Sequence, residues 1–333
     1  MTETTIQDFN AKDSLIEWFD HHRRPLPWRK DSNPYAIWLS EIILQQTRVD
    51  QGLPYWERFM ATFPTVESLA NAPSDQVMAL WAGLGYYSRA RNLHRTAQLI
   101  QERGSFPSQS SELVKLPGIG PYTAAAIASI CFKERSPALD GNALRVYSRY
   151  FAIADRIDRS STLATIRAQA IPVLDAHRPG DSNQAIMDLG ARICTPTQPK
   201  CPECPLHRQC EAFRRGTMES FPVKPSKKAP NVEDWHFHIY VDQGKFGLEK
   251  RVDQGIWGGL WSFPVAKVPE AATATALRCT HLLSHKKLTL FFHEKDVVKV
   301  PMTPAVQWFS LEEVKNLGLP VPIRWWFEEK NYF

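Results

Sequence analysis

Residues 113–127 read LVKLPGIGPYTAAAI, and this stretch decides how the rest of the chain is interpreted. Apolar residues on both sides of the Pro-Gly-Ile-Gly-Pro core predict a helix, a tight turn and a second helix. Gly118 and Gly120 permit an unusual turn backbone, and Pro121 suits the first position of a helix. The turn amides and the helix N-terminus then favour an anion, although a plain helical turn without a ligand fits the same pattern.

A group of four cysteines lies about seventy-five residues beyond the hairpin. Their spacing is C-x6-C-x2-C-x5-C, and they are Cys194, Cys201, Cys204 and Cys210. Thiolates so close together in a proline-rich loop can converge on one metal centre. Ligand chemistry alone leaves zinc and an iron–sulfur cluster as comparable alternatives, because both accept four thiolates. Cys131 and Cys279 lie elsewhere and are expected to pack as small apolar residues.

Two carboxylates stand in unlike surroundings. Glu41 lies in an apolar helical stretch, IWLSEIILQQT, where burial would raise its pKa and suit it to act as a general acid. Asp140 precedes the helix that begins GNALRV, so it can cap that helix and stay ionised beside the helix dipole. Such a pair is what glycoside cleavage requires. A glutamate on a helix edge and a simple capping aspartate are the alternatives without catalysis.

Amino-acid composition favours a water-soluble protein over a secreted or membrane-spanning one. The 333 residues are 43% hydrophobic, with 40 basic and 35 acidic side chains, which is typical of a water-soluble protein with a weak preference for anionic partners. We find no secretory signal at the start and no apolar run of about 18–20 residues that would span a membrane. The sequence therefore predicts a protein of the cytoplasm, where clustered thiols favour metal binding over disulfides.

The chain divides into three parts by its pattern. Residues 1–215 show apolar residues at helical spacing, and residues 216–232 have the proline- and lysine-rich composition of a linker. Residues 233–333 predict a small α+β domain. Strict alternation at Trp235–Val241 predicts a half-buried strand, and residues 246–251 predict its hairpin partner. A further strand is predicted at Leu288–Phe292, and a capping box at Ser310–Glu313 predicts a short helix.

Several segments, taken together in this order, resemble the adenine DNA glycosylases of the MutY type, members of the endonuclease III superfamily. The segments are LPWR at 26–29, SEIILQQTRV at 40–49, GLGYYSRARNLH at 83–94, the hairpin, LDGNALRV at 139–146, NQAIMDLGARIC at 183–194 and the cysteine loop. The resemblance covers essentially the whole chain. It implies a mainly α fold, with a six-helix barrel carrying the helix–hairpin–helix, a cluster domain, and a Nudix-like C-terminal domain. It also favours a [4Fe–4S] cluster over zinc.

The resemblance implies a function in base excision repair. The chain would remove adenine paired with 8-oxoguanine or guanine, after flipping it out of double-stranded DNA, by hydrolysis of the N-glycosidic bond. Glu41 would protonate N7 of adenine and Asp140 would stabilise the sugar cation. Tyr122 and Asn142 would orient these groups and the water. The enzyme would act as a monomer in the bacterial cytoplasm, without a membrane.

The resemblance also implies a set of DNA contacts. The hairpin glycines Gly118 and Gly120 would present amides to a phosphate. Arg29 would line the adenine pocket. The residues predicted to enter or border the space left in the base stack are Gln46, Leu84 and Tyr86. Ser284 and His285 would read 8-oxoguanine, although Leu283 stands where the family usually has Phe; without the resemblance, Ser284 and His285 would be interpreted as a turn.

The sequence argues against three other functions. A bifunctional glycosylase with lyase activity needs a lysine after the hairpin, and Tyr122 stands there, which cannot form a Schiff base. A non-catalytic DNA-binding protein with a structural cluster has no use for Glu41 and Asp140. A Nudix pyrophosphatase requires a glutamate-rich metal-binding box, and residues 233–333 contain none.

Overall fold

The computed structural model describes residues 10–225, 230–252, 255–266, 277–283, 286–295 and 306–333. The protein is mainly helical and forms two compact units. The first contains the described residues of Met1–Ile42 and Leu99–Ser226, and the second those of Ile43–Gln98 and Lys227–Phe333. These units do not divide the chain at residues 215 and 233, so the domain boundaries expected from the sequence stay a proposal. No helix among the described residues is long and apolar enough to cross a membrane.

Twelve helices precede the sheet in the described chain. They are α1 (Ala11–His22), α2 (Pro34–Ile43), α3 (Val49–Thr62), α4 (Val66–Ala70), α5 (Ser74–Trp81), α6 (Ser88–Arg103), α7 (Ser110–Leu113), α8 (Pro121–Phe132), α9 (Gly141–Tyr150), α10 (Ser160–Ala170), α11 (Pro179–Arg192) and α12 (Glu211–Arg214). Side-chain caps begin several of them: Asn10 caps α1, Thr65 forms a capping box on α4, and Asp140 caps α9.

The core of the first unit joins α1, α9 and α11. Leu15, Phe19, Tyr147 and Leu189 are among its fully buried side chains, and all lie at the helical spacing seen in the sequence. Helix α11 also approaches α8 very closely. A Cβ atom at Gly180 would lie 2.6 Å from Cα of Ile130, so only glycine fits at this crossing.

The hairpin lies between α7 and α8. Pro121 occupies the first turn of α8, and Gly118 has φ +75°, a left-handed conformation that favours glycine. Gly120 differs, since its φ of −83° and ψ of 173° are extended backbone open to other residues. Glu134, just beyond the end of α8, accepts hydrogen bonds from the backbone N and the hydroxyl of Ser110, at 2.7 and 2.5 Å. These bonds hold the beginning of α7 near the end of α8.

Besides the helices of residues 43–98, the described part of the second unit contains a six-stranded sheet and two short helices. The strands are β1 (Asn231–Asp242), β2 (Lys245–Lys250), β3 (Trp261–Ser262), β4 (Leu277–Leu282), β5 (Lys286–Lys295) and β6 (Val306–Ser310), and the helices are α13 (Leu311–Lys315) and α14 (Val321–Glu329). The strand order is β3-β2-β1-β5-β4, with β6 paired to β2. Strands β1 and β5 run parallel, and the other pairs are antiparallel. Phe246, Phe263 and Phe327 form its aromatic core.

Most predictions for this region are confirmed, and one is wrong. The strand, its hairpin partner and the capping box of Ser310 with Glu313 all form. The alternation at Trp235–Val241 predicts a strand with one buried and one solvent-exposed face, and β1 does not follow this pattern. His236 and Tyr240 are buried, while Val241 is 38% exposed. The physical reason is position: β1 lies inside the sheet, and His236 is buried against His293 on β5, with their ring nitrogens 2.9 Å apart.

Candidate active site and cysteine loop

Glu41 lies near the end of α2, in the first unit. Part of its surface reaches solvent, yet burial of the carboxyl group raises its pKa from 4.5 to about 7. Tyr122, in the first turn of α8, donates its hydroxyl hydrogen to Oε2 of Glu41 at 2.5 Å, which opposes that rise. The nearby charge of Asp140 adds to it. A carboxyl group with these properties exchanges a proton near neutral pH, as a general acid must.

Asp140 caps α9 from the residue that precedes the helix. Its Oδ1 accepts the backbone N–H of Ala143 at 2.6 Å, and its Oδ2 accepts the side-chain amide of Asn142 at 3.1 Å. Burial raises the pKa of Asp140 above 3.8, while both hydrogen bonds lower it. The net change in the pKa is opposite to the one that the helix dipole alone predicts, because burial disfavours the charged form of Asp140.

The first unit also contains a carboxylate that the sequence argument missed. Asp188 on α11 has no exposed side-chain surface and binds two arginines at once. Arg29 donates to its two oxygens at 2.7 and 3.1 Å, and Arg24 donates two bonds to Oδ1 at 2.8 and 2.5 Å. Asp188 therefore fixes the guanidinium of Arg29. The only sequence signal was an acidic residue among apolar ones in AIMDLG, since its partners are two of the three arginines in the distant segment RRPLPWR.

Arg145 ties the capping residues of α9 to the beginning of the cysteine loop. It donates to Oδ1 of Asn142 at 2.9 Å, to the Gly190 carbonyl at 2.6 Å and to the Cys194 carbonyl at 2.7 Å. Helices α9 and α11 cross very closely beside Arg145. A Cβ atom at Gly190 would lie 2.6 Å from Cβ of Asn142, so a side chain at this position would displace α9 or α11.

The four cysteines lie in a loop of short 3-10 turns after α11, as their proline-rich sequence predicted. They line one cavity, and Arg149 donates to the Cys194 sulfur at 3.4 Å. No three His, Cys, Asp or Glu side chains among the described residues meet closely enough to hold a single metal ion. Four thiols around one cavity, beside the buried guanidinium of Arg149, form a donor set that suits a metal–thiolate centre once the thiols are deprotonated.

Gln46, Leu84 and Tyr86 lie in two turns of the second unit. Gln46 has φ 58° and Tyr86 has φ 48°, so both adopt the left-handed conformation that residues other than glycine rarely take. Tyr86 is 47% exposed, whereas Leu84 is only 7% exposed. Two exposed side chains on constrained turns can reach a ligand, while Leu84 would have to move from its buried position to do so.

An open cleft of about 800 Å³ lies beside the Tyr86 turn in the second unit. Its lining includes Arg91, Arg251, Trp257, Leu283 and Lys286. Ser284 and His285, which the sequence singles out, lie outside the described residues. Their described neighbours Leu283 and Lys286 are joined by a backbone hydrogen bond of 2.8 Å, and both line this cleft.

Comparisons with known proteins agree with this architecture. A family model described as "HhH-GPD superfamily base excision DNA repair protein" matches residues 39–170, and a NUDIX domain model matches residues 236–329. The adenine DNA glycosylase of Buchnera aphidicola subsp. Schizaphis graminum is 33% identical over 331 residues, which cover 93% of this chain and 95% of that protein. The human adenine DNA glycosylase is 33% identical over 397 residues, covering 93% of this chain and 72% of the relative.

The fold is also found among solved structures. A thermostable thymine-DNA glycosylase superposes with a TM-score of 0.55 and 25% identity, covering 61% of this chain and 94% of that one. The match confirms the mainly helical glycosylase fold that the family resemblance implied.

Proposed function

This chain belongs to the adenine DNA glycosylase family, and on that premise we propose that it excises adenine paired with 8-oxoguanine or guanine in double-stranded DNA. The observation that carries the proposal is the partly buried Glu41, whose carboxyl group has a pKa of about 7 and accepts a hydrogen bond from Tyr122, in the unit that also holds Asp140. An acid that is half protonated near neutral pH suits a reaction in which a neutral purine must leave.

The reaction follows from the two carboxyl groups. Glu41 gives its proton to N7 of the flipped adenine, and the bond between the sugar carbon and N9 breaks with its electron pair moving to the base. The ionised Asp140 stabilises the positive charge that develops on the sugar. Water adds to that carbon and returns a proton to Glu41, so adenine and an abasic sugar are the products. Glu41 is then ready for another cycle.

Three further side chains keep these groups in place. Tyr122 holds Oε2 of Glu41, which leaves Oε1 to carry the proton, and its hydrogen bond stabilises the carboxylate once the proton has left. Asn142 donates to Oδ2 of Asp140 and keeps this carboxylate oriented on α9. Arg29 is fixed by Asp188 at one wall of the proposed adenine pocket. Preorganised groups of this kind lower the barrier without rearranging during the reaction.

The DNA contacts are proposed on the same basis. The amides around Gly118 and Gly120, at the beginning of α8, bind a phosphate. Gln46 and Tyr86 fill the space that adenine leaves, and Leu84 supports them. Ser284, with His285, reads the base opposite adenine, so specificity depends on both compact units. Because its substrate is chromosomal DNA, we place the enzyme in the cytoplasm of a bacterium. We also propose that it acts as a monomer.

A [4Fe–4S] cluster is the cofactor that we propose for the cysteine loop. Cys194, Cys201, Cys204 and Cys210 would hold it. The cluster would supply four metal–thiolate bonds that fix the loop, and no step of base removal needs its electrons. Arg149, which binds Cys194 and two carbonyls of the loop at Thr195 and Pro196, would keep the loop in shape around it.

One assay tests the function. Single-turnover excision is measured on duplexes that place adenine opposite 8-oxoguanine, guanine, cytosine or thymine. Release of adenine from the first two, with strand breaks only after alkali, is the expected result. Absence of adenine release from all four would refute the proposal. Efficient trapping of the enzyme on DNA by borohydride would favour the bifunctional alternative, in which a lysine other than residue 122 acts as nucleophile.

A further inference from the structure

Arg89, in the first turn of α6, connects the two turns that carry Gln46 and Tyr86. Its side chain is 9% exposed. Nη1 donates to the carbonyls of Ile43 and Gln45 at 3.0 and 2.7 Å. Nη2 donates to the carbonyls of Leu84 and Gly85 at 3.1 and 3.3 Å. Each nitrogen therefore serves one turn, and the planar guanidinium sets the distance between them.

Both turns need such support. Gln46 directly follows one of the bound carbonyls and Tyr86 directly follows another, and both have positive φ. Holding a residue other than glycine in this conformation has an energetic cost that the surroundings must offset. The guanidinium also lies 5.6 Å from the Tyr86 ring centroid and 5.0 Å from that of Trp81, so it contacts the exposed side chain as well as its backbone.

We infer that Arg89 is a positioning residue, which locks the Gln46 and Tyr86 turns into one arrangement so that both side chains enter the same duplex together. The inference rests on the proposed function, because it assigns these two residues to DNA. Burial lowers the pKa of Arg89 to about 10, so the guanidinium is still charged at neutral pH and its four hydrogen bonds are charge-assisted. Lysine cannot replace it, since one ammonium group does not span two sets of carbonyls as the arginine fork does.

The first experiment needs no substrate. Amide hydrogen exchange is compared in the wild-type protein, Arg89→Lys and Arg95→Lys, the last a matched change at an exposed arginine on the same helix. Arg89→Lys should accelerate exchange in residues 44–47 and 83–87 together, by about tenfold or more. Acceleration in only one turn, or in neither, would overturn the inference. If Arg89→Lys fails to fold, Arg89→Met, with a side chain of similar length and no charge, is measured instead. It should accelerate amide exchange in the same two turns.

The second experiment measures coupling in catalysis. Arg89→Lys should slow single-turnover adenine excision by about 100-fold, the usual effect of a misplaced contact, while non-specific duplex affinity stays within about threefold. In a background that already carries Gln46→Ala and Tyr86→Ala, the same change should cost less than about threefold, because the side chains it positions are gone. An equal loss in both backgrounds would show that Arg89 acts elsewhere. If the wild-type protein releases no adenine, the proposed function fails, and hydrogen exchange alone decides the role of Arg89.

Discussion

The hydroxyl of Tyr122 lies 2.5 Å from Oε2 of Glu41, so the helix that follows the hairpin also holds the proposed acid. Burial and this hydrogen bond act on the Glu41 pKa in opposite directions, and burial is the larger. The result is a carboxyl group that holds a proton at neutral pH yet gives it up readily. The proposed acid and the proposed phosphate contact thus share one element, α8.

Glu41→Gln should nearly abolish adenine release while the fold and DNA binding persist, because glutamine has the shape of the acid but no proton to give. We expect a loss of about 100- to 10,000-fold in single-turnover excision. Glu17→Gln, at an exposed glutamate on α1, is the matched control and should react like the wild type. A Glu41→Gln rate within about tenfold of the wild type would remove this residue from the acid role.

The pH dependence of excision should follow Glu41 on its basic side. The reactive form is protonated, so the rate should fall as pH rises through about 7. Tyr122→Phe removes a hydrogen bond that lowers this pKa, so in that variant the fall should move to higher pH. Single-turnover rates of both proteins across the pH range check the shift. A basic limb that stays in place would show that another group controls it.

Stability should depend on pH through the same residue. The folded protein binds the Glu41 proton more tightly than the unfolded chain, so wild-type stability falls as pH rises from 4.5 to about 7. That rise in pKa corresponds to roughly 3 kcal/mol, because one pKa unit is worth about 1.4 kcal/mol. Glu41→Gln avoids this cost. Its unfolding free energy in urea should therefore exceed that of the wild type by more above pH 7 than near pH 5, and an equal difference at both would contradict the explanation.

Much of this site could be predicted from sequence because its elements are local. Asp140 caps the helix that begins one residue later, and Gly118 takes the positive φ that its turn requires. The pairing of Arg24 and Arg29 with Asp188 could not be predicted, since it joins residues about 160 positions apart. The burial of His236 was missed for a similar reason: alternation describes one strand, whereas the neighbours of β1 decide which of its faces meets water.

The cysteine loop should bind about four irons and four sulfides per chain, and purified protein should be brown. Cys201→Ser should lose both the colour and part of the DNA affinity, because the loop would no longer be held in shape. Cys279→Ser, at a thiol on β4 in the second unit, is the control and should keep its iron. Metal analysis that finds one zinc and no sulfide would instead support a structural zinc site.

Recognition of the opposite base should depend on Ser284. A hydrogen bond that distinguishes two bases is worth roughly 1–3 kcal/mol, or about 5- to 150-fold. Ser284→Ala should therefore reduce the preference for 8-oxoguanine over guanine opposite adenine, by an amount near the lower limit because Leu283 supplies no aromatic ring. Thr280→Ala, at an exposed residue of β4, is the control. A discrimination ratio unchanged by Ser284→Ala would place recognition on Gln46 and Tyr86.

The tight crossing at Gly190 bears on how natural variants of this chain are judged. A ranking by distance to DNA or to the reacting groups would score this glycine as harmless, since it offers no side chain to either. Yet a single added methyl group would press on Asn142 and shift the partner of Asp140. A change at Gly190 should therefore be examined as closely as a change to Glu41 or Asp140. The spacing between the backbones of α9 and α11 sets the position of Asn142, and Asn142 in turn orients the Asp140 carboxylate.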